Sequence, residues 1–128
     1  MQLVAVITAL ALIQYFVFGV WVGQARGKFG IEAPAITGHP IFERHFRVHQ
    51  NTMEQLIIFL PALWLFATYV SPRVAAGLGL VFIIGRFVYA RGYVAEPKQR
   101  GPGTALTAAA TMVLLLGGLL GALVQLLR

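Results

Sequence analysis

The sequence predicts an all-α integral membrane protein, a four-helix transmembrane bundle. Composition carries the first part of that reading. Hydrophobic residues make up 59% of the 128 and charged residues 11%, where a soluble domain has roughly 25% charged; the mean hydropathy is +0.79. Four apolar stretches, each near the ~20 residues that cross hydrocarbon as a helix, carry the second. A chain this short has no room for a separate soluble domain beside the bundle, so residues 1–128 are read as one domain. Cysteine is absent, which excludes disulfides, thiolate metal sites and a cysteine nucleophile. Any thiol chemistry has to arrive with a ligand. The formal charge of +6 lies scattered through apolar helices and short loops, which fits membrane topology and not nucleic acid.

The first helix is placed at 3–22. It carries no charge before Arg26, and its apolar run outlasts the 7–15 or so residues of a signal peptide. The second is placed at 41–70, polar at its start and closed by Ser71-Pro72. The third is placed at 73–94, ended by Ala95-Glu96-Pro97 because proline removes a helical donor. The fourth, 105–127, is rich in Gly, Ala, Leu and Val, and its Gly117, Gly118 and Gly121 permit close helix approach. Loop one, 23–40, holds Arg26 and Lys28; loop three holds Arg91, Lys98 and Arg100; the turn between helices two and three holds only Arg73. Short basic loops stay on the cytoplasmic side, so loops one and three are expected there. The brief termini favour a bacterial inner membrane over endoplasmic reticulum.

The polar start of the second helix, FERHFRVHQNTMEQ, sets the functional question. At ~1.5 Å per residue Arg47 lies roughly 9 Å, and Glu54 roughly 20 Å, along that helix. Arg44, Arg47, Asn51 and Glu54 recur at spacings of 3, 4 and 3, one stripe at about 100° per residue; His49 points elsewhere. A charge near mid-bilayer costs roughly 2.5–3.5 kcal/mol on insertion scales, so this stripe must face protein or a water-filled cavity. Helix three has a matching face in Phe82, Arg86, Tyr89 and Tyr93, at 4, 3 and 4. Two arginine-bearing faces with tyrosine hydroxyls and one deep carboxylate suit a peptide-like anion.

Structural readings of the same residues stand beside this one. Arg47 with Glu54, or Arg86 with Glu54, can pair simply to fix helix register. Tyr89, Tyr93, Trp21 and Trp64 can be interfacial belt residues, and Lys28 and Lys98 topology determinants. Of His39, His45 and His49 only the last two have i, i+4 spacing, with no third ligand, so no metal is expected.

FERHFRVHQNTMEQ resembles the second-helix signature of the MAPEG family, the membrane-associated proteins of eicosanoid and glutathione metabolism. SPRVAAGLGLVFIIGRFVYARGYVAEPKQR resembles its third helix and following loop, nearest to the type-three microsomal glutathione transferases. The resemblance covers nearly the whole chain and implies a homotrimer with glutathione as co-substrate, bound between subunits near the cytoplasmic face. It implies contacts to glutathione from Arg26, Arg47, His49, Asn51, Glu54, Arg86, Tyr89 and Tyr93, with Arg100 beside the thiol as the catalytic group. A guanidinium there favours the thiolate, the nucleophilic form. The second substrate would be a hydrophobic electrophile, conjugated, or a lipid hydroperoxide, reduced, arriving through membrane lipid.

Leukotriene-forming relatives carry Gln in place of His49, Tyr in place of Gln55, and a proton-donating arginine where this chain has Gly27, which speaks against leukotriene formation. Two other classes remain in view. A non-enzymatic lipid-binding member of the family would share the fold without the full arginine set. A small proton-coupled exporter would need an acidic residue in helix one, which has only Gln14.

Overall fold

A computed structural model describes residues 1–128. Four long helices, α1 (Gln2–Phe29), α2 (Pro40–Tyr69), α3 (Pro72–Ala95) and α4 (Gly101–Leu126), carry the chain, with a 3-10 turn at Pro97–Arg100 before the last. All four are long and apolar enough to cross a membrane. The protein is an integral, multi-pass membrane protein of all-helical architecture.

Two helix starts follow directly from capping chemistry. His39 is extended and its side-chain nitrogen accepts from Ile41 N–H at 3.1 Å, with Pro40 opening α2; Ser71 accepts from Val74 N–H at 3.2 Å, with Pro72 opening α3. Capping oxygens or nitrogens satisfy an orphan donor, and proline in the first turn loses nothing.

Two boundaries differ from those the sequence suggests. α1 runs seven residues past Val22, through Gly23 and Gly27, and stops at Gly30, which takes the left-handed conformation with φ 67°. Glycine inside a helix weakens it but does not end it, whereas a left-handed glycine does. Arg26 and Lys28 are therefore on the helix, and the loop shrinks to 30–39. α4 begins at Gly101 and not at Ala105, because Pro102 falls in the first turn, where its missing N–H costs no bond. α3 ends at Ala95, and Pro97 opens the 3-10 turn.

The main core lies in the half of the bundle away from loops one and three. Val4, Ile7 and Ala11 of α1 meet Leu56, Phe59, Leu63 and Phe66 of α2, Ala75 and Phe82 of α3, and Ala110 and Leu114 of α4. Phe59 and Phe82 stack face to face, centroids 3.7 Å apart. In lipid such packing is driven by close van der Waals contact and buried polar ties more than by escape from water. Gln14 Nε2 donates to Ile83 O at 2.9 Å across α1 and α3, and Trp64 Nε1 to Thr8 Oγ1 at 3.0 Å across α2 and α1. A Cβ on Gly118 would sit 3.1 Å from Phe66 N, so α4 lies directly against the backbone of α2.

At the opposite end Arg44 ties two helices together. Its Nη1 donates to Val94 O at 3.0 Å and to Ala95 O at 3.3 Å, where the last carbonyls of α3 have no helical partner. Arg44→Ala is expected to lower stability by about 1–2 kcal/mol, the cost of losing charge-assisted bonds to backbone carbonyls, read as an earlier thermal midpoint in detergent. An unchanged midpoint would refute the capping role.

Candidate functional site

The loop-one and loop-three end of the bundle contains a cavity of about 320 Å³ between α2, α3 and α4. Arg47 and Asn51 line it from α2, Arg86, Tyr89 and Tyr93 from α3, and Arg100 from the 3-10 turn. Six of the residues singled out from sequence thus meet in one place. Arg86 is nine residues before the end of α3 and Asn51 eleven residues into α2, depths of roughly 14 Å and 16 Å. Antiparallel helices bring equal depths together.

Arg86 is the chemical centre of the cavity. It is only 1% exposed. Its Nη2 donates to Asn51 Oδ1 at 2.7 Å and to Thr52 Oγ1 at 2.9 Å, its guanidinium lies 4.2 Å from the Tyr89 ring centroid, and its Nε has no partner. No carboxylate pairs with it. A buried charge without a counter-ion is costly, and an anion in the cavity is the partner that would offset that cost. Arg47 and Arg100 add two further guanidinium groups, and no acidic side chain lines the wall.

Tyr89 and Tyr93 stack with centroids 5.6 Å apart, and Tyr89 is buried against Phe18 and Val48. Both line the cavity, Tyr89 as a buried residue and Tyr93 as a half-buried one. Glu54 stands just outside, paired to Arg47 at 3.5 Å with both side chains half exposed. The Arg47–Glu54 pair expected as a structural alternative is therefore present, but it lies within α2 and joins no second helix, and Arg86 takes no part in it.

Two of the residues expected at the site lie elsewhere in the single chain. Arg26 donates to Ala35 O at 2.6 Å and rests over the Phe42 ring, bracing the short loop. It sits on α1, which contributes nothing to the cavity wall. His49 stacks on Tyr15 with centroids 4.4 Å apart and lines an outer groove with Leu12, Phe16 and Gly19. Two residues from Arg47 along a helix is about 200° of rotation, which turns it away. No three histidine or acidic side chains gather into a metal-holding group.

Four lining residues go beyond those expected: Gln55, Thr104, Thr107 and Ala108. Helical spacing contains the signal for three. Gln55 follows Asn51 by four, and Arg100, Thr104 and Thr107 recur at 4 and 3. A helix start at Ala105 hides the latter pattern. Thr52, which holds Arg86, escapes the same reading, since a threonine amid apolar residues gives no outward sign of its partner.

Comparison with known proteins adds an independent line. Residues 4–120 match the MAPEG family. An uncharacterised protein of Synechocystis is 50% identical over 122 residues, 95% of this chain and 89% of its own length. Microsomal glutathione S-transferase 2 of Homo sapiens is 40% identical over 119 residues, 93% of this chain and 81% of its length. Leukotriene C4 synthase of Rattus norvegicus is 32% identical over 125 residues, 98% and 83% respectively.

Proposed function

We propose that this chain, which belongs to the MAPEG family, is a membrane-bound glutathione transferase that conjugates glutathione to hydrophobic electrophiles, reduces lipid hydroperoxides with it, or does both. The observation that carries this reading is the buried Arg86, without a counter-ion and with its Nε buried and unpartnered, in the wall of a cavity that two more arginines line. Glutathione is an anionic tripeptide of a size suited to a cavity of this order, and arginine forks match its carboxylates.

In this reading Arg47, Arg86 and Asn51 hold the carboxylates and backbone of glutathione, with Tyr89 and Tyr93 as hydroxyl donors. Glu54, exposed beside Arg47, meets its amino group. Arg100, an exposed residue of the cavity lining, stands by the thiol. Its charge favours loss of the thiol proton to water, leaving the sulfur as the nucleophile. Arg26 and His49 do not reach this cavity and have no assigned contact in it.

The homotrimer follows from the resemblance, and the half-exposed Arg47–Glu54 pair is compatible with it: on a membrane helix such a pair faces either the water-filled cavity or a second copy of the chain, not hydrocarbon. Loops one and three then face the cytoplasm, where glutathione enters, and the second substrate arrives laterally through lipid.

Calorimetric titration of glutathione into the purified protein in detergent tests the assignment. Saturable binding that is lost in Arg47→Ala is expected, and a folded protein that binds no glutathione would sink it. Arg100→Met is expected to keep affinity within a few-fold while the thiolate fraction of bound glutathione at neutral pH falls about tenfold, the effect of about 1.4 kcal/mol. Ultraviolet absorbance of the thiolate reads this; an undiminished thiolate signal would remove Arg100 from its role.

A further inference from the structure

A second cavity, about 480 Å³, opens between α1, the start of α2 and the end of α3. Trp21, Phe29 and Val94 give it apolar walls, and Lys28, Arg91 and His45 stand among them. His45 is two residues from Arg47 and so about 160° round α2 from it, which puts this groove on the side of α2 opposite the arginine cavity. None of its lining residues is shared with that cavity.

Its two strong cations are unclaimed. Lys28 Nζ lies 5.4 Å from the Phe29 ring centroid and Arg91 Cζ 5.8 Å from that of Phe87. Neither pairs with a carboxylate, and neither donates to a backbone oxygen. Lys28 is one residue from the end of α1 and Arg91 four from the end of α3, both within roughly 6 Å of the helix ends. Helices of 28 and 24 residues are roughly 42 and 36 Å long against ~30 Å of hydrocarbon, so their last turns reach the headgroup region.

We propose that this groove binds one anionic phospholipid of the bilayer, with its phosphate held between Lys28 and Arg91 and the upper part of an acyl chain lying along Trp21, Phe29 and Val94. The geometry is that of an amphiphile: two exposed, unpaired cations and an apolar trough beside them. A zwitterionic headgroup brings its own ammonium against the same two cations, so anionic lipid is preferred. Each basic residue near a membrane surface is worth about fivefold in attraction for anionic lipid, about thirtyfold for two. The site is independent of the glutathione assignment.

Trp21 supplies the probe. In a Trp64→Phe background it is the only tryptophan, and bromine on an acyl chain quenches it only in contact. Brominated phosphatidylglycerol is expected to associate with Trp21 about thirtyfold more strongly than brominated phosphatidylcholine. The preference disappears in Lys28→Gln/Arg91→Gln and persists in Lys28→Arg/Arg91→Lys, with helical circular dichroism unchanged. Native mass spectrometry of the unaltered chain, counting adducts of the two lipids, repeats the comparison without any substitution. Equal association of the two lipids, or a preference that survives loss of both charges, overturns the proposal, as does displacement of phosphatidylglycerol by a brominated fatty acid at equal concentration.

Discussion

Arg86→Met is expected to weaken glutathione binding about a hundredfold while leaving the ligand-free protein no less stable than before. The two halves of that result have one cause. In the native chain the guanidinium is buried with hydrogen bonds to Asn51 and Thr52 and no counter-ion. Removing it forfeits charge-assisted bonds to the ligand worth about 3 kcal/mol, which is a factor of roughly 150 in affinity. In the empty protein the same change deletes a charge whose desolvation is uncompensated, and replacement of buried charges by apolar side chains of similar volume is often neutral or favourable. The lost bonds to Asn51 and Thr52 offset part of that gain. Titration calorimetry and thermal unfolding in detergent, run on the same sample, check both. Binding within a few-fold of the parent would show that Arg86 serves only helix packing. A lysine in its place is not a conservative test, because it lacks the planar fork.

Gly103→Val is expected to cost about 3 kcal/mol of stability and to abolish glutathione binding in whatever fraction folds. A Cβ at this position would fall on the backbone N and Cα of Tyr89, atoms that cannot swing aside as a flexible side chain can. α4 must then move off α3, and overpacking of this kind typically costs about 1–3 kcal/mol or somewhat more. The movement separates Arg100, Thr104 and Thr107 from Tyr89 and Tyr93, which together form the cavity wall. Gly77→Ala is the contrasting control. It lies within α3 with nothing near the added methyl, so relief of glycine's helix penalty should raise stability by about 0.5–1 kcal/mol. Thermal midpoints moving in the same direction for both variants would refute close α3–α4 contact as the determinant.

Much of the candidate site is legible along single helices. Arg47, Asn51, Arg86, Tyr89 and Tyr93 stand out because charged and hydroxyl groups recur at helical spacing inside apolar sequence, where each carries a cost that demands a partner. Gln55 and Thr104 are readable by the same period once the helix boundaries are right. Arg26 and His49 rest on the resemblance to relatives, and neither enters the cavity of the single chain.

Sequence by itself determined the membrane class, the four spans and the faces on which polar groups lie, because lipid forbids unpaired backbone and unpartnered charge. It also determined that any thiol must come from a ligand, since no residue of the chain carries one. Only the tertiary structure decided which partner each polar group finds. Glu54 went to Arg47 and not to Arg86, Arg44 went to the end of α3, and Arg86 was left to Asn51, Thr52 and an open cavity. Helical period fixes rotation about an axis but not the depth and separation of two axes. Those are set by packing, here by Gly103 against Tyr89 and Gly118 against Phe66.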